Sequence, residues 1–150
     1  MRKALLGFCT ICLLLSVPAV AEEQEDDKAE WEAVRQVCLD YFEGWFYGDA
    51  DRFLSALHPE LAKRIPWKNE SGKMILRPSD REEMAEYIRS GRTKKSPEEA
   101  QIKVKVFDVS HGVATAVGSC STFFDYMHLA KIDGKWWIVN VLWQVYPREE

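Results

Sequence analysis

The residues best suited to chemistry in this 150-residue chain are few and scattered. His58, inside Leu57-His58-Pro59-Glu60-Leu61, is the strongest candidate base, because an imidazole exchanges protons near neutral pH. Its structural alternative is a histidine at a helix end bonded to nearby carbonyls. Tyr41 and Trp45 share an aromatic helical stripe, where a phenol is either core with its hydroxyl satisfied or a hydrogen-bond donor to a ligand. Asp125 and His128 are three apart. In a strand that spacing sends them to opposite faces, so they make no carboxylate–imidazole dyad. His58, His111 and His128 lack metal-ligand spacing, and no metal is expected. Neither Ser119 nor Cys120 sits in a nucleophile elbow, and Cys120 reads as sheet core.

The elements that must position these residues follow from periodicity. Trp31, Val34, Val37, Cys38, Tyr41, Phe42, Trp45 and Phe46 recur at three- and four-residue steps, predicting a long amphipathic helix closed by Gly48. Asp49 caps a second helix striped by Phe53, Leu54, Leu57 and Leu61, broken or restarted at Pro59. Residues 65–77 read as irregular with one short strand near Met74-Ile75-Leu76. Ser79 with Glu82 reads as a capping box opening a third helix, with Met84, Tyr87 and Ile88 on one face and Gly91 at its end. Residues 92–100, with Lys94-Lys95, read as a basic, flexible, solvated loop.

Strands then follow at 102–109, 113–124, 126–132 and 136–146, a four-stranded antiparallel meander. Helices first and a long antiparallel sheet last make an α+β domain.

If Asp133-Gly134 is a two-residue turn, facing residues sum to 267 in number, pairing His128 with Val139 and Asp125 with Leu142. One face then carries Tyr126, His128, Ala130, Trp137, Val139, Val141 and Trp143. The other carries Asp125, Met127, Leu129, Trp136, Ile138, Asn140 and Leu142. A bulged loop would swap the assignment, so the face toward a pocket stays open. Both faces are largely apolar and need two covers, helices on one and a second subunit on the other.

At the N-terminus, Met1-Arg2-Lys3, the apolar run Ala4 to Leu15 and the Ala19-Val20-Ala21 ending form a secretory signal at 1–21, with cleavage expected after Ala21. The apolar run is shorter than the roughly 20 residues a membrane helix needs, so no anchor is expected after cleavage. Secretion or periplasmic residence follows. Residues 22–29 read as a disordered polar leader, with the domain at 30–147.

The chain carries a net charge of −4, and losing Arg2 and Lys3 takes it to −6, with basic residues spread out; nucleic acid is not an expected partner. Cys38 and Cys120 outlast cleavage, and an exported pair leaves two options, a disulfide or two buried thiols.

Tyr41 to Asp51 with its Gly48-Asp49 turn, Leu57-His58-Pro59-Glu60-Leu61, Asp125-Tyr126-Met127-His128-Leu129 and Asp133 to Asn140 together resemble the nuclear-transport-factor-2-like superfamily, in its branch of putative lumazine-binding proteins. The resemblance covers 30–146. It implies helices packed on a curved antiparallel sheet that form a cone with an internal pocket, and a homodimer through the outer sheet face. No flavin-type cofactor follows from the branch name, and none is expected.

Isomerase-like members of the superfamily use a first-helix tyrosine as oxyanion donor, at the place of Tyr41, and an aspartate base before a proline. Here that base position is Ile65, before Pro66, and isoleucine cannot take a proton.

The reading is therefore an exported domain that binds a small organic molecule, or is purely structural. Tyr41, Trp45, His58, Asp125, Tyr126, His128, Asn140 and Trp143 are its candidate ligand contacts. The rival is an isomerase, dehydratase or cyclase with His58 or Asp125 as base and Tyr41 as oxyanion donor.

Overall fold

The computed structural model describes residues 18–147. Residues 1–17, most of the expected signal, lie outside them. Helix α1 spans Pro18–Tyr47, and its apolar stripe of Val34, Cys38, Tyr41, Phe42 and Phe46 is buried. The helix also takes in residues 22–29, expected as a disordered leader; three Glu with one Gln, Lys and Ala among those eight residues favour helix. Gly48 ends α1 at φ +77°, a left-handed position that glycine takes without strain.

Asp49 then caps α2 (Ala50–Ala56), its carboxylate accepting from the Arg52 N–H at 2.9 Å. The two helices touch backbone to backbone at Gly44, where a Cβ would sit 2.5 Å from the Phe53 nitrogen.

The second helix stops at Ala56, short of the expected break at Pro59, and Leu57 and Leu61 lie outside it. Leu57–Lys68 is a strand, β1, paired antiparallel with β2 (Met74–Ser79) and parallel with β6 (Lys135–Val145). Its register slips between Leu57 and Ala62, so His58-Pro59-Glu60 forms a bulge and not a helical turn. Proline lacks an N–H, and a bulge leaves none unpaired there.

Helix α3 (Arg81–Arg89) is capped by Asp80, one residue later than expected, which accepts from the N–H groups of Glu82 and Glu83. The expected flexible loop at 92–100 contains a one-turn helix, α4 (Pro97–Ala100), with a complete capping box between Ser96 and Glu99.

The meander is present: β3 (Lys103–Ser110), β4 (Val113–Ser119), β5 (Phe123–Ile132) and β6. With the first two strands it makes one curved, unclosed six-stranded sheet in the order β2-β1-β6-β5-β4-β3, and the helices cover its inner face. Phe42 rests against Gly118, which has no side chain to exclude the ring. Glu30 ties α1 to the last hairpin, accepting from Lys131 Nζ at 2.6 Å and Trp136 Nε1 at 2.8 Å.

The Asp133-Gly134 turn is the two-residue kind, and Ile132 to Leu129 pair with Lys135 to Ile138 as the sum rule requires. Beyond Leu129 the ladder slips at a bulge around Val139, so His128 faces Asn140 and Asp125 faces Trp143. This corrects the face assignment: Val141 and Trp143 turn inward beside Asp125, Met127 and Leu129, while Asn140 and Leu142 turn outward.

Candidate functional site

Under the helices, three chains of side-chain atoms meet at one ammonium group. Lys63 of β1 donates from Nζ to Tyr41 Oη of α1 at 2.7 Å and to Asp125 Oδ1 of β5 at 2.8 Å. Lys63 is 4% exposed and Asp125 is fully buried, so both charges have left water. The sheet order places β6 between their strands. Lys63 pairs with Val141 and Asp125 with Trp143, so the lysine crosses two ladder spacings of about 4.8 Å each, measured along the sheet. Its long stem makes that reach. The ammonium also lies 4.9 Å from the Trp143 ring centre and 5.3 Å from that of Tyr41, within cation–π range.

Burial is the largest influence on Lys63, Tyr41 and Cys38. It pulls the Lys63 ammonium below the ordinary lysine value, opposed by the facing Asp125 carboxylate. Burial, then the Asp125 charge, pushes the Tyr41 phenol well above its ordinary value, so it keeps its proton. The same two causes push the Cys38 thiol up to about 12. Cys38 and Cys120 are free and buried, matching the thiol option for that pair.

One valence in the cluster is open. Asp125 Oδ2 is buried without a hydrogen-bond partner among the described residues. A buried acceptor in that state has room for one more hydrogen-bond donor, a water or a ligand group.

Two adjoining clefts open beside the cluster. One, of about 500 Å³, is lined by Leu61, Lys63, Arg64, Ser79, Asp80 and Glu83. The other, of about 430 Å³, shares Pro78, Ser79, Asp80 and Glu83 and adds Trp45, Met84 and Tyr87. Trp143 Nε1 donates to Ser79 Oγ at 3.3 Å, so the indole touches both Ser79 and the ammonium. A larger groove of about 890 Å³ runs past Phe124 and Tyr146 but has no charged lining residue and lies apart from the cluster.

Of the residues read from sequence, Tyr41, Asp125 and Trp143 converge on Lys63. Trp45 packs on Phe53, Tyr87 and Phe123 beside the second cleft. The other four do not join them. His58 sets its ring edge-on to Trp137, on the outer sheet face, and accepts from the Glu60 N–H. Tyr126 and His128 alternate with the inward Asp125 and Met127 and are exposed. Asn140 was turned outward by the Val139 bulge, where it bridges His128 Nδ1 at 3.0 Å and Arg64 Nη2 at 2.5 Å. His58 therefore cannot serve as base toward Tyr41.

Lys63 was not among the sequence candidates. Its signal was the alternation of Leu61, Lys63 and Ile65, which puts a lysine on an apolar strand face once 57–68 is read as a strand. Ile65 itself is 1% exposed and apolar, so no acid stands at the expected base position.

In fold, the chain is similar to a nuclear-transport-factor-2-like protein of unknown function from Shewanella baltica OS155, at TM-score 0.64 and 21% identity over 81% of this chain and 97% of that one. It is also similar to a protein of the same description from Silicibacter pomeroyi DSS-3, at TM-score 0.61 and 12% identity over 82% and 98%. A putative scytalone dehydratase from Novosphingobium aromaticivorans shares the fold at TM-score 0.53 and 9% identity, over 83% and 89%. No curated protein matches the sequence. Residues 29–144 match the family described as "Putative lumazine-binding". The chain thus belongs to that family, and its fold is that of nuclear-transport-factor-2-like proteins.

Proposed function

We propose that this protein binds a small, partly apolar and electrically neutral organic molecule in the clefts beside Lys63. The observation that carries the reading is the open valence of Asp125 Oδ2 next to a lysine already neutralised by the same carboxylate. Because the pair cancels its own charge, a charged ligand gains little from it. What remains is an acceptor oxygen and one ammonium hydrogen not committed to Tyr41 or Asp125, a match for a carbonyl, hydroxyl or amide. Trp45, Met84 and Tyr87 supply the apolar wall. The binder is exported, with its signal cut after Ala21, and pairs as a homodimer through the outer sheet face.

Native mass spectrometry of protein purified from its own host tests the reading. The expected spectrum shows a dimer that begins at Glu22 and carries a small molecule released on denaturation. Protein without such a molecule, and with no melting shift from any neutral aromatic alcohol or amide in a fragment screen, would refute the binding reading.

The isomerase, dehydratase or cyclase reading keeps one supporting observation: Asp125 and Tyr41 reach a common point. That point is occupied by Lys63 Nζ, whose ammonium holds Asp125 as a counter-ion, which disfavours proton abstraction by that carboxylate.

A further inference from the structure

We propose that Lys63 is a covalent attachment point for carbonyl compounds, its amine forming an imine with an aldehyde or ketone that enters the cleft beside Ser79. The inference rests on the pocket reading above and names the ligand class for the same site. Three observations lead to it.

First, Lys63 is the buried lysine among the described residues; the others are exposed or, for Lys95, half-buried. Its amine is set against the Tyr41 and Trp143 rings, a surround that keeps bulk water from hydrolysing an imine. Second, the groups an imine needs for proton movement are already in contact with it: the Asp125 carboxylate at 2.8 Å and the Tyr41 hydroxyl at 2.7 Å. Third, Lys63 lines the 500 Å³ cleft, and the Trp143 indole against its ammonium donates at 3.3 Å to Ser79 of the same cleft. Burial also lowers the proton affinity of the amine, which raises the neutral, nucleophilic fraction.

The step balances without an added reagent. Lys63 passes one proton to Asp125, and the freed nitrogen lone pair attacks the carbonyl carbon. A C–N bond forms as the C=O π pair moves to oxygen, which takes a proton back and becomes a hydroxyl, held by Tyr41. The nitrogen lone pair then closes a C=N bond, and the hydroxyl leaves with a second nitrogen-derived proton as water. Ammonium and carbonyl have become iminium and water, the charge is unchanged, and Asp125 remains as counter-ion.

The test uses the full chain with benzaldehyde and sodium cyanoborohydride near neutral pH, followed by peptide mass mapping, with benzyl alcohol as a ring-matched compound that lacks the carbonyl. The expected result is benzylation of Lys63 about tenfold faster than of the surface lysines, a barrier difference of about 1.4 kcal/mol. Benzyl alcohol should slow it by occupying the cleft. Lys63→Arg keeps a cation against Asp125 but has no nucleophilic amine, so it should lose that one adduct while the surface lysines label as before. Labelling confined to surface lysines while benzyl alcohol still raises the melting temperature overturns the imine and leaves the pocket standing. Surface labelling with no melting shift from either compound overturns both.

Discussion

Replacing Lys63 by Met is the most informative perturbation of this fold. Methionine keeps most of the lysine stem, so packing against Val141 changes little and the effect reports on charge. Asp125 then loses its 2.8 Å donor on Oδ1, while Oδ2 has none to begin with, and Tyr41 Oη loses a 2.7 Å donor. With side-chain exposures of 4% and 0%, solvent screening gives no relief. Removing one partner of a buried pair costs about 3–5 kcal/mol, because the surviving charge is stranded.

Two companions separate the contributions. Tyr41→Phe removes one acceptor and leaves the ion pair, for a loss of about 1.5–3 kcal/mol. Lys63→Met with Asp125→Leu removes both charges, and such exchanges range from neutral to stabilising, so the double variant should recover most of the loss. Equilibrium urea unfolding of the full chain, read by tryptophan fluorescence and with Asp125→Leu alone as the remaining corner, supplies the four stabilities of a double-mutant cycle. A loss below about 1 kcal/mol in Lys63→Met, or a double variant no more stable than the single, would show that the pair is hydrated and refute the reasoning about its burial.

The Cys38 thiol has an ordinary value of 9.0 and is held up to about 12 in the fold, so the unfolded chain ionises first and the folded chain binds the extra proton. Stability is fully present below pH 9 and is lost toward pH 12 at up to about 1.4 kcal/mol per unit; urea midpoints across that window should fall less steeply in Cys38→Ala. Gly118→Ala drives a methyl into the Phe42 ring, and Gly44→Ala drives one to 2.5 Å from the Phe53 nitrogen. Each should cost about 1–3 kcal/mol or more by calorimetric melting, with Gly44→Ala the worse because backbone cannot turn aside. Tyr126→Lys with Leu142→Lys on the exposed outer face should convert the proposed dimer to monomer in analytical ultracentrifugation, with surface-like stability changes of about 0.5 kcal/mol per site. Wild-type protein sedimenting as a monomer at every concentration would end the dimer reading.

Helix α1 and the meander were legible because each obeys one undisturbed period. The α1 stripe from Val34 to Phe46 keeps helical spacing, and His111-Gly112 and Asp133-Gly134 take positive φ at both residues, as such short turns demand. The misreadings lie where a bulge breaks the period. A strand that carries extra residues at His58-Pro59-Glu60 loses its two-residue alternation and shows leucines at 54, 57 and 61, which imitate helical spacing. The Val139 bulge sits up the ladder from its turn, so the turn type gave no sign that Asn140 and Trp143 would exchange faces.

The same bulge in β1 accounts for the missed lysine and for the chemistry of the site. With a helical stripe read to Leu61 and irregular chain from 65, residues 63 and 65 have no shared direction, and Ile65 registers only as a lost base. As a strand they point the same way, so one wall of the pocket has an isoleucine where an acid was expected and, two residues earlier, a cation. Asp125 lies two strands away and answers that cation, with Tyr41 accepting from above. A carboxylate beside a neutral wall could act as a free base. Bound to an ammonium it is a counter-ion, and the reactive lone pair that remains within reach is on Lys63. That change of partner is why the geometry points away from proton abstraction and toward holding, or covalently capturing, a carbonyl.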